Sequence, residues 1–269
     1  QQKCGIAVRD ITPEGPIWLS GYAARNHASE KVDQPLKAQA LYFEDGAGER
    51  FVLVSVDNCE VSRDYMAPVL DAIEKKWKLP QGAVIVVTSH THSAPCLVTV
   101  LPAMFNFSGV EKERVDAYGE KLRGILVEIV GAAMADAKPA LLAQGKSKAN
   151  IAMNRRIYSE EGVAFGENPV GVADRDVPVL KITTPEGGLR AVLFGYACHG
   201  TSIAGDDFYI VSGDYMAYAR EHIEAAFPGA QAVYIQGCGA DSNPSPRGKL
   251  QHAKQSGLEL AGAVAGVLN

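Results

Sequence analysis

Short apolar runs rich in β-branched residues alternate along this chain with longer segments of helical periodicity. Continuous apolar runs, as opposed to strictly alternating ones, are typical of strands buried on both faces. We therefore predict an α/β fold in which a mixed, largely buried β-sheet is covered by helices. The predicted strands are residues 5–8, 38–43, 51–56, 83–88, 177–182, 191–197 and 232–235.

Four other segments carry apolar residues at the three- and four-residue spacing of one helix face. They predict helices over residues 64–77, 114–137, 215–227 and 250–268. Residues 156–176 contain Gly162, Gly166, Pro169 and Gly171 and show no periodicity, so this segment is predicted to be a long surface loop.

Length and composition limit the classes of protein to which the chain can belong. With 269 residues and a 47% hydrophobic fraction, it can bury the core of one domain. A net charge of -5 without a Lys/Arg-rich run argues against nucleic-acid binding. No apolar stretch approaches the about 18 residues that span a bilayer. The first residue is Gln, which suggests an exported protein, periplasmic or secreted, that has lost its signal peptide.

The five cysteines do not predict a disulfide framework, because their number is odd and no two stand in a C-x-x-C spacing. They are Cys4, Cys59, Cys96, Cys198 and Cys238.

Polar or glycine-rich segments follow four of the predicted strands, at the position where open α/β sheets place their functional residues. These segments contain Asp57-Asn58, His90-Thr91-His92, Cys198-His199 and Gly237-Cys238-Gly239.

The His90-Thr91-His92 segment is the first candidate for chemistry. Side chains two residues apart on an extended chain point to the same side, so both imidazoles can converge on one metal ion. A catalytic zinc normally takes three protein ligands, and His199, at an equivalent strand end, is the natural further ligand. The alternative is a hydrogen-bonded histidine pair in a turn without metal. His27, His222 and His252 lack such a context.

Other polar residues at strand and helix ends can be explained by structural roles. Asp57 could orient a water, although a hydrogen bond to a neighbouring loop explains its position as well. Asp214 is predicted to stabilise the first turn of the third helix. Cys238 would need an activating base that the sequence does not reveal, and its two flanking glycines would equally form a tight turn or an anion-binding loop.

Seven segments, in order along nearly the whole chain, resemble the N-terminal catalytic domain of neutral/alkaline non-lysosomal ceramidases. They are Ile11-Thr12-Pro13, Gly21-Tyr22, Ser89-His90-Thr91-His92-Ser93-Ala94-Pro95, Asn154-Arg155, Cys198-His199-Gly200-Thr201-Ser202, Ser212-Gly213-Asp214-Tyr215 and the run from Gln236 to Pro244.

The resemblance implies a zinc-dependent amidase that cleaves the N-acyl bond of ceramide or a related N-acyl compound. It implies that His90 and His199 bind zinc. It also implies that His92 and Arg155 are catalytic-site residues that hydrogen-bond near the metal and the reacting amide. A small-molecule or lipid amide is the partner that such a site requires.

The chain departs from the family pattern at two points. The family takes its remaining zinc ligands, a Glu and a Tyr, from a region C-terminal to the matched segments, and its last motif commonly has Ser where this chain has Asn243. The family's C-terminal immunoglobulin-like domain is also not visible in residues 1–269. Either residues 1–269 form a catalytic domain that lacks C-terminal parts, or the metal site is completed differently.

Two alternative functions remain at the level of sequence. One is a metal-dependent esterase or phosphoesterase, although the metallo-β-lactamase pattern requires Asp and His where this chain has Ala94 and Pro95. The other is a metal- or ligand-binding protein without turnover.

Overall fold

A computed structural model describes residues 2–269, and these residues form fourteen strands and four α-helices. The strands are β1 (Lys3–Asp10), β2 (Lys31–Val32), β3 (Lys37–Glu44), β4 (Arg50–Val56), β5 (Val84–Thr88), β6 (Lys138–Pro139), β7 (Leu141–Lys148), β8 (Ala152–Ser159), β9 (Gly162–Asn168), β10 (Asp176–Thr183), β11 (Leu189–Tyr196), β12 (Ile210–Val211), β13 (Gln231–Gln236) and β14 (Ser242–Pro244). The helices are α1 (Arg63–Trp77), α2 (Gly109–Ala135), α3 (Asp214–Ala226) and α4 (Leu250–Leu268).

Most strands belong to two mixed sheets. Sheet 1 has the order β5-β4-β3-β1-β6, and sheet 2 has the order β13-β11-β10-β7. Within them, β4 runs parallel to β5 and β11 runs parallel to β13, so each sheet presents two neighbouring carboxyl ends at one edge. A three-stranded sheet, β14-β8-β9, and the parallel pair β12-β2 complete the pairing.

The two main sheets pack against each other, and helices cover their outer faces. On β3, Ala40 and Tyr42 belong to the core under α1 and α2, while Leu41 between them belongs to the core between the sheets. On β11, Phe194 packs under α3 and α4, whereas Ala191 faces sheet 1. The result is a helix–sheet–sheet–helix sandwich. Successive side chains of a strand point alternately into the core under the helices and into the core between the two sheets.

This arrangement confirms the predicted mixed α/β class and corrects one detail of it. The inner strands of the two sheets are buried on both faces, as their continuous apolar runs indicated, but the second cover of each sheet is the other sheet. Sequence runs cannot distinguish a helix from a sheet as the covering layer, because both provide an apolar surface.

All seven predicted strands and all four predicted helices are confirmed, with end shifts of a few residues. Helix α1 begins after Ser62, whose hydroxyl accepts from the N–H of Tyr65, and it ends at Lys78 in the left-handed conformation. Helix α2 begins five residues before the predicted start, at Gly109.

The predicted long loop at residues 156–176 is wrong. Strands β8 and β9 form a hairpin there, with Tyr158 paired to Val163 and Arg156 paired to Phe165. Most of these side chains are exposed, so no buried face imposes the apolar–polar alternation by which a strand is recognised. Strand β7 was missed for the same reason, since its side chains are largely exposed.

All five cysteines are free in the structure, and Cys238 is the exposed one. The predicted export stays a prediction. None of the helices in the described part of the chain is long and apolar enough to cross a membrane.

Candidate metal centre

The carboxyl ends of β5 and β11 meet, although the two strands belong to different sheets. Thr91 and Gly200 form an isolated parallel bridge, and the N–H of His92 donates to the carbonyl of Gly200 at 3.0 Å. A Cβ on Gly200 would lie 2.5 Å from the carbonyl oxygen of His90. Only glycine allows this close approach.

The bridge brings three imidazole rings together. The ring centroid of His90 lies 4.8 Å from that of His92 and 4.5 Å from that of His199, and the last two are 5.6 Å apart. His90 has φ of 59°, an unusual left-handed conformation for a residue other than glycine. Strained backbone of this kind is concentrated at functional sites.

The hydrogen bonds of His90 and His199 leave one nitrogen of each ring free in the same way. Nδ1 of His90 contacts the carbonyl of Cys59 at 2.7 Å, and Nδ1 of His199 contacts the carbonyl of Gly239 at 2.8 Å. These carbonyls fix the proton on Nδ1 and leave Nε2 as the lone-pair nitrogen. Metal-binding histidines characteristically have this backbone support.

His92 differs from the other two histidines. Its Nε2 lies 3.4 Å from Nε2 of His90, close to the about 3.4 Å that separates two nitrogens on one tetrahedral zinc. Its Nδ1, however, is buried without a hydrogen-bond partner among residues 2–269. Distance alone would admit His92 as a ligand, but the missing Nδ1 support favours a separate role beside the metal.

Burial disfavours the charged form of two of these imidazoles, those of His92 and His199. It lowers the pKa of His199 to about 4, against the hydrogen bond to Gly239, which favours the charged form. Burial, followed by repulsion from the protonated forms of His90 and His199 and from Arg25 and Arg155, holds the pKa of His92 well below its usual range. Neutral imidazole is the form that binds metal and accepts protons.

Among the described residues, the group of three whose ligand atoms lie within 4.8 Å of one another is Cys59, His90 and His92, and not the three histidines. The Cys59 thiol is 3.8 Å from Nδ1 of His90, the nitrogen already held by the Cys59 carbonyl, and burial raises the pKa of this thiol. The Cys59 thiol lies on the Nδ1 side of the His90 ring, and its raised pKa disfavours the thiolate that binds metal. Cys59 is therefore a weaker candidate ligand than His199.

The chemistry of the described donor set therefore fits zinc, a borderline-soft ion that prefers imidazole nitrogen. A model of the neutral/alkaline non-lysosomal ceramidase family, N-terminal part, matches residues 3–244. The chain belongs to this family.

Relatives and solved structures agree with this membership. Neutral ceramidase A of Dictyostelium discoideum is 25% identical over 265 residues, which are 91% of this chain and 36% of that protein. Neutral ceramidase 2 of Arabidopsis thaliana is 24% identical over 249 residues, 84% of this chain and 30% of that protein. The chain thus spans about a third of the length of these curated relatives.

The crystal structure of neutral ceramidase from Pseudomonas aeruginosa superimposes with a TM-score of 0.80 at 20% identity. The match covers the whole of this chain and 45% of the crystallised one. At this identity the likeness establishes the fold.

Arg155 of this ceramidase-family chain reaches the loop that supports His199. Its N–H donates to the carbonyl of Asp241, and its guanidinium donates to the carbonyl of Ala240 at 3.0 Å and to the amide oxygen of Asn243 at 3.2 Å. The same segment provides Gly239, which holds the His199 ring. The sequence-predicted residues His90, His92, His199 and Arg155 thus lie in one region.

Asp57 and Asp214, for which the sequence left both a functional and a structural interpretation, have structural roles. Asp57 is fully buried, pairs with Arg220 and accepts from the N–H of Lys37. Asp214 accepts from the N–H groups of Tyr215 and Ile203, as expected for a helix start. Cys238 is exposed, and His222 lies on the solvated face of α3.

Sequence reasoning missed the residues that hold His92. The Arg25 guanidinium donates to three backbone carbonyls, those of His92, Ser20 and Phe208, at 2.7, 2.6 and 2.9 Å. The Tyr22 ring meets the His92 ring edge-on at 5.0 Å. The only sequence signal for these residues was the Gly21-Tyr22 motif, and that motif does not indicate that Tyr22 contacts His92.

Glu60 is a carboxylate near the histidines that the sequence did not single out. It follows Cys59, whose carbonyl holds His90. Burial raises the pKa of Glu60, and the nearby charge of His90 opposes this shift. A half-buried carboxyl group near His90 is suited to orienting a water or carrying a proton.

Proposed function

We propose that this chain carries the histidine part of a zinc-dependent hydrolase site that cleaves the N-acyl amide bond of a ceramide-like lipid or related N-acyl compound. The observation that carries the proposal is the meeting of His90 and His199, each with Nδ1 on a backbone carbonyl, which leaves Nε2 as the nitrogen that carries the lone pair. Membership of the ceramidase family supports the amide as the bond that is cleaved.

Zinc, when bound, supplies Lewis-acid activation of the amide carbonyl and of the attacking water. His90 and His199 would hold the ion through Nε2. His92, neutral and with Nε2 directed to the same space, can accept a proton and return it to the leaving amine. Arg155, which stays cationic, can stabilise negative charge that develops on the carbonyl oxygen.

The first test is metal content. We expect His90→Ala and His199→Ala each to lose bound zinc while keeping the fold, because each removes one of the two supported ligands. His222→Ala is the matched control, since His222 is exposed on α3 and makes no contact with the site. Zinc per chain is measured by elemental analysis after gel filtration, and circular dichroism verifies the fold. Full zinc content in either site variant would reject the ligand assignment.

Two further variants separate the competing roles at the same site. Cys59→Ala should keep zinc if His199, not Cys59, is the ligand. His92→Ala should keep zinc but lose about 10²–10⁴-fold in turnover of an N-acyl amide, the usual contribution of a proton-transfer group. Bound zinc without turnover of any amide or ester would favour the non-catalytic alternative, and turnover of esters alone would favour an esterase.

A further inference from the structure

The large apolar side chains that are most exposed among residues 2–269 all lie in one segment, residues 158–172. Their exposed fractions run from 59% to 93%, and they are Tyr158, Val163, Phe165, Val170 and Val172. Next in order is Leu258 on α4, at 58%. Single exposed apolar side chains are ordinary on a protein surface, whereas a group of them in one place marks an interaction surface.

Three of these side chains form one face of the β8–β9 hairpin. Val163 and Phe165 are two residues apart on β9, so they point to the same side of the hairpin. Tyr158 on β8 is paired directly opposite Val163 and shares that side. Within residues 2–269, β9 is an edge strand that pairs with β8 and with no other strand. The face formed by Tyr158, Val163 and Phe165 is therefore open to a partner.

The hairpin is joined to the metal centre by backbone hydrogen bonds. Asn154 of β8 is paired with Ser242 of β14, and the carbonyl of Ser242 accepts from the N–H of His199 at 3.1 Å. The N–H of Arg155 donates to the carbonyl of Asp241 at 2.8 Å, in the residue next to Ser242. A surface that binds the hairpin would therefore lie beside the histidines.

The charge of this region does not attract anionic groups. Residues 155–176 contain three arginines and five acidic residues, and two of the acidic residues, Glu160 and Glu161, form the turn between the strands. Attraction to anionic lipid headgroups requires a cluster of basic residues. Binding at this face must therefore come from its apolar side chains.

A lipid surface is the partner that these side chains fit. Tyrosine and phenylalanine are among the residues that enter the boundary between headgroups and acyl chains. A fluid bilayer also needs no complementary groove, since lipids rearrange around a projecting face. The outer backbone groups of edge strand β9 would be unsatisfied within hydrocarbon, so the hairpin can lie at the interface but cannot cross the bilayer.

We propose that the face formed by Tyr158, Val163 and Phe165 docks on the surface of an electrically neutral lipid bilayer. Docking would place the metal centre next to the membrane in which a ceramide-like substrate lies. The inference rests on the proposed hydrolase function for the identity of that substrate, whereas docking itself requires no turnover.

Co-flotation of the chain with phosphatidylcholine vesicles tests the docking. We expect the wild-type chain to bind, and the double variant Tyr158→Ser/Val163→Ser to bind at least about tenfold more weakly, because two apolar contacts are lost. Phe165 is left unchanged, since the Arg155 guanidinium lies over its ring at 5.4 Å. High salt should not weaken binding, because screening acts on charges and not on apolar contacts.

Matched variants separate docking from a change in fold. Leu258→Ser is the control, because Leu258 is as exposed as Val163 but lies on α4, and it should bind vesicles like the wild type. Tyr158→Phe/Val163→Leu keeps the apolar face and should also bind. The serine double variant should lose turnover of vesicle-embedded ceramide but keep turnover of a short-chain, water-soluble N-acyl amide.

The possible results distinguish this inference from the proposed function. A wild-type chain that does not bind the vesicles, or a serine double variant that binds them equally well, would overturn the docking. Loss of binding in high salt, or a dimer that the serine substitutions dissociate, would overturn it too, in favour of an electrostatic contact or a second copy of the chain. Vesicle binding without turnover of either amide would support docking and count against the hydrolase function. Turnover of both amides without vesicle binding would do the reverse.

Discussion

At the scale of single residues, small backbone requirements decide how the histidines are presented. His90 adopts a left-handed backbone, and His92 is enclosed by residues from the N-terminal loop. The glycine preceding Tyr22 is part of this enclosure: Gly21 has φ of +95°, and a Cβ on it would lie 2.4 Å from Cγ of His92. The buried, unpartnered Nδ1 of His92 is 2.5 Å from the same point.

We expect Gly21→Ala to destabilise the protein by about 1–3 kcal/mol, because alanine is strained at positive φ and its methyl group would displace the His92 ring. Urea denaturation measures the effect. Gly15→Ala is the control: Gly15 lies in the same N-terminal region with open space around its Cα, so its effect should stay within about 0.5 kcal/mol. Equal stability of the two variants would contradict the proposed contact.

At the scale of elements, helices and buried strands were predictable and exposed strands were not. Helix α1 combines an apolar face with a serine cap, and β3 to β5 are long apolar runs. Strands β7 and β9 and the second half of β8 depend on pairing with neighbours, since their side chains are mostly exposed or only half-buried. Backbone pairing leaves little trace in side-chain pattern, and the hairpin that carries Arg155 was therefore missed.

Helix α3 is joined to sheet 1 by a buried ion pair at the end of β4. Arg220 donates to Asp57 at 2.5 Å and to Gln39 at 3.1 Å, and its side chain and that of Asp57 are almost fully buried. The sequence offered Asp57 as a site residue because a carboxylate directly after a strand can either orient a catalytic water or make a structural hydrogen bond.

Arg220→Met should destabilise the protein by about 3–5 kcal/mol, because it leaves the buried Asp57 charge without a partner. The control is Lys112→Met, which removes the exposed pair with Asp116 within α2 and should cost less than about 0.5 kcal/mol. Both free energies of unfolding come from the same denaturation assay. A small effect of Arg220→Met would show that Asp57 is solvated or neutral in the folded protein.

At the scale of the whole molecule, the proposed ligands come from different sheets. His90 follows β5 of sheet 1, and His199 follows β11 of sheet 2. A metal held by both residues would therefore connect the two halves of the sandwich and bind the unfolded chain far more weakly.

Zinc should accordingly raise the melting temperature in a concentration-dependent manner. Free zinc at a hundred times its dissociation constant adds about 2.7 kcal/mol to the free energy of unfolding. Scanning calorimetry should show this shift in the wild-type chain and in His222→Ala, but not in His199→Ala. An equal shift in His199→Ala would mean that zinc binds elsewhere.

The sequence alone determined the α/β class, the buried strands, the four helices and the candidates His90, His92, His199 and Arg155, because local periodicity and the family motifs are written in consecutive residues. Only the tertiary structure decided that the sheet is two sheets, that residues 156–168 belong to a hairpin, and that Gly21, Tyr22 and Arg25 enclose His92. It also decided which nitrogen of each histidine is free. These features depend on contacts between segments distant in sequence, and no local pattern encodes which segments meet.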